Sequence, residues 1–283
     1  MSFVRLLALT SLAMIAFAGN SLLCRFALRQ TSIDPASFTT VRLVSGAITL
    51  WLVVRFKRRN DGTGGGTWRS AMALFAYAAG FSFAYETLTA ATGALLLFGA
   101  VQATMIGHAV WTGEKPGGRQ LLGVALALAG LIGLLLPGIS APPLNGTLLM
   151  LCSGAAWGIY SLRGKGTGDA TTVTSGNFLR AAAIGIGLSV LTLKHASVDA
   201  AGIGYAVASG ALASGIGYAI WYTALPWLGS TTAATVQLSV PMIAALGGVV
   251  LLGEHVTLRL ALASVAILGG IAAVTLARPA RNR

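Results

Sequence analysis

Residues 113–130 read GEKPGGRQLLGVALALAG, and residues 253–270 read GEHVTLRLALASVAILGG. At an offset of 140, six of these 18 positions are identical: Gly113 with Gly253, Glu114 with Glu254, Arg119 with Arg259, Leu122 with Leu262, Leu128 with Leu268 and Gly130 with Gly270. Leu and Gly recur by chance in apolar sequence, so the Glu and Arg matches weigh most. Each window opens where one apolar run ends and continues into the next. The front of each half agrees as well. Gly19 precedes Arg42 by 23 residues, and Gly158 precedes Arg180 by 22. The chain reads as a duplicated unit, residues 1–138 followed by 139–283.

Working outward from this repeat, apolar stretches of about 20 residues fall near 6–24, 36–56, 70–87, 90–112, 119–138, 146–163, 171–193, 200–222, 229–251 and 257–277. The expected fold is therefore all-α and membrane-integral, with ten transmembrane helices in two five-helix repeats. Five is odd, so the second unit enters the bilayer from the opposite side. Inverted repeats are a construction of secondary carriers, because two near-equivalent halves can rock about one site. A duplicated membrane protein without transport is the alternative.

Composition excludes most other classes. The chain has 283 residues, 55% hydrophobic and only 9% charged, whereas soluble domains carry roughly 25% charged residues. The net charge of +12 is too scattered among apolar runs for a nucleic-acid surface and fits cationic loops beside a membrane. Cys24 and Cys152 show neither metal spacing nor a disulfide framework. Arg5 followed by an apolar run and Ala16-Phe17-Ala18 imitates a cleaved leader, but the repeat needs this segment as a helix. With the N-terminus inside, 13 Lys and Arg residues fall on inner segments and four (Arg25, Arg29, Lys194, Arg259) on outer ones. That split expects both termini and the 57–69 loop in the cytoplasm of a bacterial inner membrane.

Several motifs bear on family. They are Phe17-Ala18-Gly19-Asn20, Ala156-Trp157-Gly158, the paired Arg42 and Arg180, the stretch from Gly217 to Leu225 reading GYAIWYTAL, Pro241, Gly253-Glu254 and Gly269-Gly270. In their order and spacing the chain resembles the ten-helix EamA-type branch of the drug/metabolite transporter superfamily. It is similar there to amino-acid exporters of the YddG type. The resemblance implies a basket in which spans one to four and six to nine surround a central cavity, while spans five and ten sit apart. Pro241 lies near the middle of span nine and reads as a hinge, because proline removes a backbone donor. The matching position in span four is Val101.

Candidate substrate-binding residues follow from polarity and helical spacing. A guanidinium at mid-span is costly and should face a cavity. Arg180, about ten residues into its span, is thus a candidate for a substrate carboxylate, or else bonds backbone carbonyls. Arg42 is seven residues from an outer end, where snorkelling is easier. Tyr77, Phe81 and Tyr85 share one helix face, as do Tyr218 and Trp221 with Tyr222; Trp157 and Tyr160 sit in span six. These aromatics form either a cavity wall with phenol and indole donors or a packing and interface set. The amides Asn20, Asn177, Gln102 and Gln237 bind solute or bridge helices. Ser21 and Ser239 carry less information.

All seven acids, Asp34, Asp61, Glu86, Glu114, Asp169, Asp199 and Glu254, fall in loops or near span ends. Proton- or sodium-coupled carriers often keep one at mid-membrane, so coupling is not expected, with Glu86 and His108 in reserve. Glu114 and Glu254 read as helix caps or partners of Arg119 and Arg259. No phosphate loop, metal cluster or nucleophile arrangement is present, and Gly64-Gly65-Gly66 reads as a linker, so no enzyme and no cofactor is expected. The expected partners are a small-molecule substrate and the lipid bilayer, not nucleic acid, with a monomer as the simplest assembly. The expected function is export of small amphipathic metabolites, amino acids including aromatic ones first among them, by alternating access. Nucleobases, amines and drugs are the other solutes considered.

Overall fold

The computed structural model describes residues 1–56, 65–113, 117–136, 138, 141–164, 169–228 and 236–276. Those residues form helices and connecting turns, with no strand among them. In chain order the helices are α1 Phe3–Gln30, α2 Pro35–Phe56, α3 Trp68–Tyr85, α4 Ala90–Trp111, α5 Gly118–Leu135, α6 Leu144–Arg163 and α7 Ala170–Leu191. They are followed by α8 Ala200–Trp227, α9 Ser239–Leu252 and α10 Leu258–Leu276. Glu114, Lys115, Lys165, Asp61, Gly64, residues 57–59 and the arginines after 277 lie outside the described residues, as does the front of span nine.

Local chemistry starts the helices. Asp34 accepts from the N–H groups of Ala36 and Ser37 ahead of α2. Thr67, Thr89, Asp169 and Asp199 cap α3, α4, α7 and α8 in the same way, each satisfying an orphan donor of a first turn. α9 ends at Gly253, whose φ of +63° is left-handed and suits glycine. That turn sends Glu254 back toward the bundle, with its N–H on the Gly248 carbonyl.

α1 runs beyond the expected end of its span. Arg25 and Arg29 therefore belong to helix rather than to an outer loop. Arg25 is buried and ion-paired with Glu254, Nε to Oε1 3.0 Å. Glu254 is thus the partner of Arg25, and Arg259 instead donates to the Leu136 carbonyl. A buried counterion lets the helix pass a charge at which hydropathy alone would stop it.

α1, α2, α4, α5, α7 and α8 are long and apolar enough to cross a membrane, and α9 and α10 add shorter apolar helices. α3 and α6 are less apolar because they pack on each other and carry Tyr77, Ser82, Ser153 and Tyr160 into the interior. The outer surface is the reverse of a soluble one. Leu12, Ile48, Leu122, Ile186, Val250 and Val265 are exposed, as lipid contact requires. α5 packs on α10, apart from most of the bundle. Their crossing is a glycine contact, since a Cβ on Gly123 would meet the Gly270 carbonyl at 2.6 Å. Around the centre, α2 packs on α7, α4 on α9, α6 on α3 and α4, and α1 on α8 and α9.

Candidate functional site

A cavity of about 20 Å³ sits where α1, α3, α4, α6 and α8 converge with the residues ahead of α9. It is lined by Phe17, Asn20, Ser21, Tyr77, Phe81, Leu97, Phe98, Trp157, Ala213, Ser214, Tyr218 and Gln237. Such a volume holds about one water.

Aromatic rings make the wall. Trp157 lies between Tyr77 and Tyr218, with centroids 4.8 and 5.2 Å away. Phe17 meets Tyr218 edge-on at 5.6 Å, and Phe81 tilts on Tyr77 at 5.5 Å. Offset and edge-on pairs of this kind add about 0.5–1.5 kcal/mol each beyond area burial. The Tyr77 face forms because residues at i and i+4 of a helix share a side.

A polar chain threads the rings. Ser209 donates to Asn20 Oδ1 at 2.6 Å, and Asn20 Nδ2 donates to Tyr77 Oη at 3.2 Å. Arg42 Nη2 donates to the same phenol oxygen at 2.9 Å. The Arg42 guanidinium lies 4.8 Å from the Phe81 centroid and 5.1 Å from that of Tyr77. Arg42 is 1% exposed, so it does not snorkel. Its Nε and Nη1 have no hydrogen-bond partner, nor does Ser214 Oγ in the cavity wall.

The other sequence candidates are placed elsewhere. Arg180 Nη1 donates to the carbonyls of Gly65 at 2.6 Å and Gly176 at 2.9 Å. Asn177 Oδ1 accepts from the Thr67 N–H at 2.8 Å. Both tie α7 to the start of α3. Tyr85 is buried against Phe81, with its hydroxyl toward the Ala90 carbonyl. Gln102 and Trp221 are buried outside the cavity lining, Trp221 edge-on to Phe17. Pro241 stands in the first turn of α9 rather than at mid-helix. A turn at Leu238 interrupts the rod just ahead of it, where Pro241 cannot donate to the Gln237 carbonyl.

Sequence reasoning passed over Leu97, Phe98, Ala213 and Ser214 as lining residues, set Ser21 aside and met Phe17 only within a motif. One signal was available. Residues 208–215 read ASGALASG, a run of small residues, and Ala208–Ile216 is a π-helical segment of α8. Wider i→i+5 turns recur at functional sites. Here the segment brings Ser209 onto Asn20 and Ser214 to the cavity.

A second cavity of about 200 Å³ lies at one end of the bundle, lined among others by Thr87, Thr89, Thr92, Pro142, Pro143, His255 and Thr257. Asp34 joins two loops by accepting from the Ser197 N–H at 3.0 Å. Burial pushes the Asp34 carboxyl up, but the hydrogen bonds from Ser37, Ser197 and Ala36 together hold it below the ordinary carboxylate range. Burial, with the neighbouring Asp34 charge, raises Glu86. Among the described residues no group of His, Cys, Asp and Glu could hold a metal ion.

Comparison with known proteins agrees along the whole chain. The family model of EamA-like transporters matches twice, at residues 5–136 and 144–276. An uncharacterized protein of Pseudomonas aeruginosa is 56% identical over 277 residues, covering 98% of this chain and 96% of that one. A crystal structure at 20% identity superposes with a TM-score of 0.65, covering 94% of this chain and 98% of the other. That likeness speaks to the fold alone.

Proposed function

The chain belongs to the EamA-like transporter family, and from that premise we propose that it carries small amphipathic solutes, amino acids foremost, through the aromatic cavity by alternating access. Members of this family are transporters, and membership supports a multi-pass membrane transporter. The finer reading rests on one observation. A ring of aromatic faces threaded by unspent polar groups lies at the convergence of six spans. Apolar walls with a few placed polar groups are what small-solute sites are made of.

Two further features support inverted five-helix repeats. The family model matches each half separately. The strongest helix contacts also map onto themselves when each helix is exchanged with the one five places on. The α3–α6 contact exchanges with α8–α1, α4–α6 with α9–α1, and α2–α8 with α7–α3, while α2–α7, α4–α9 and α5–α10 return to themselves. A pseudo-two-fold bundle has two near-equivalent packings, which is the physical basis of rocking.

The cavity, at about 20 Å³, is far below the roughly 300 Å³ or more of a drug-sized site. Admission of a solute requires the halves to separate, with the break ahead of Pro241 as one hinge. We assign solute contact to Asn20, Tyr77, Phe81, Trp157, Tyr218 and Gln237, with Arg42 behind them. Asn177 and Arg180 close the end where α3 begins, and Tyr85, Gln102 and Trp221 support the wall. The excess of Lys and Arg on the inner segments supports cytoplasmic termini in a bacterial inner membrane, and export is the direction proposed.

The test is uptake and counterflow in liposomes against a panel of amino acids, nucleobases and amines. Trp157→Ala and Tyr218→Ala should alter solute preference while folded protein remains in the membrane. A folded wild-type chain that moves nothing on the panel would overturn the reading. Flux of amines or nucleobases alone would replace the substrate class.

A further inference from the structure

Among the described residues two arginines are buried inside this bundle, and they are treated differently. Arg25 has a counterion, Glu254, and spends Nη1 on the carbonyls of Tyr85 and Glu86. Arg42 has a single bond, to the Tyr77 phenol, and two nitrogens with none. Among the described residues the one ion pair is that of Arg25, so no carboxylate answers Arg42. A buried ion without a partner is expensive, and a guanidinium offers five donors in a fork matched to an oxyanion. The rings of Tyr77 and Phe81 against Arg42 are themselves cavity wall. Ser214, whose Oγ is also unpartnered, lines the same space. Among the described residues no Asp or Glu lines the cavity, so an ammonium group would find only ring faces and amide or hydroxyl oxygens there.

We infer that Arg42, set behind the Tyr77 and Phe81 rings in this closed packing, becomes the receptor for the anionic head of the solute once the halves separate, and that the carried class is small carboxylates with an apolar or aromatic body. This rests on the transporter reading above and narrows it: the carboxylate is the group the site demands, and the amino group is dispensable. An amino acid is then accepted through its carboxylate. Its deaminated counterpart is accepted too, while its ester and amide are not. The bound carboxylate supplies the counterion that Arg42 lacks, and the Trp157 and Tyr218 rings receive the body.

The experiment uses four probes that share one aromatic body: L-phenylalanine, 3-phenylpropanoate, L-phenylalanine methyl ester and 3-phenylpropanamide. Each is scored on the purified full chain by thermal stabilisation in detergent and by competition in liposome counterflow. The two carboxylates should bind about 30-fold or more tightly than the ester and the amide, the loss typical of leaving one buried charge unpaired. Arg42→Lys should keep the preference for carboxylates at reduced affinity, and Arg42→Gln should abolish it. Equal binding of all four, preference for the ester, or a carboxylate preference that survives in Arg42→Gln overturns the assignment. So does absence of any effect from all four. Transport itself is judged separately by the wider panel, so flux of other solutes would leave that reading standing while this one fell. Should Arg42→Gln not fold, the wild-type comparison of the four probes still decides.

Discussion

Glu254→Gln tests how the bundle is held shut at one end. Arg25 Nε meets Glu254 Oε1 at 3.0 Å, and Arg25 Nη1 meets the carbonyls of Tyr85 and Glu86 at 2.8 and 3.0 Å. Glu254 Oε2 accepts from the Ala90 N–H at 2.8 Å. A cation thus sits at the C-terminus of α3 and an anion at the N-terminus of α4, each favoured by its helix dipole. Together the pair ties α1, α3, α4 and the turn after α9 into one knot. Removing one partner of a buried pair costs about 3–5 kcal/mol, since the other charge is left uncompensated. Glutamine can still accept from Ala90, so the lower end, about 3 kcal/mol, is expected. At about 2–4 °C per kcal/mol for a chain of this size class, the thermal midpoint in detergent should fall by about 6–12 °C. Replacing both partners with apolar residues, Arg25→Met with Glu254→Leu, should recover most of the loss, because such swaps are often neutral. A midpoint for Glu254→Gln within about 1 °C of wild type, or a double variant that falls as far as the two single variants added together, would refute the reasoning.

Other perturbations give different signatures. Asp34 has a depressed folded-state pKa, so its contribution is present above the unfolded value of about 3.9 and is lost as pH falls through the folded value. Asp34→Asn should flatten the thermal midpoint across that acid window, whereas Glu86, raised in the folded state, should act with the opposite slope and Glu86→Gln should remove it. Gly270→Val drives side-chain atoms into the Gly123 and Ala127 backbone and should cost about 1–3 kcal/mol by overpacking. Gly269→Ala, with nothing within 4 Å of its Cβ position, should leave the midpoint unchanged. In liposomes with equal solute on both sides, an imposed pH gradient should drive no net accumulation of a net-neutral solute. Sustained uphill movement would point to Glu86 or His108 as a coupling group.

What could be read in the sequence and what could not divides along the range of the forces involved. Hydropathy is local, and it located most of the helices to within a few residues, although α1 runs on to Gln30. The Tyr77–Phe81 face was legible for the same reason, because i and i+4 meet on any helix. The fate of each buried charge was not, because it depends on partners far along the chain. Glu254 looked toward Arg259, five residues away, yet pairs with Arg25, 229 residues away. The left-handed turn at Gly253 aims it inward, and Gly248 leaves room for its carboxylate. Arg42 and Arg180 occupy matching places in the repeat, and depth alone favoured Arg180 for the cavity. The structure instead gives Arg180 two carbonyls, one from a loop 115 residues earlier, while Arg42 meets rings and a single phenol. A duplicated sequence repeats a residue type in corresponding helices but not what faces it, since the neighbours of such a pair are free to diverge. Under the proposed site the solute meets Arg42 and not Arg180, so the cavity makes its demand on one copy of the pair and packing on the other. Exchanging the two roles would require moving the Gly65 carbonyl as well as the arginine. For that reason a carrier of this construction can be symmetric in its helix contacts and one-sided in its chemistry.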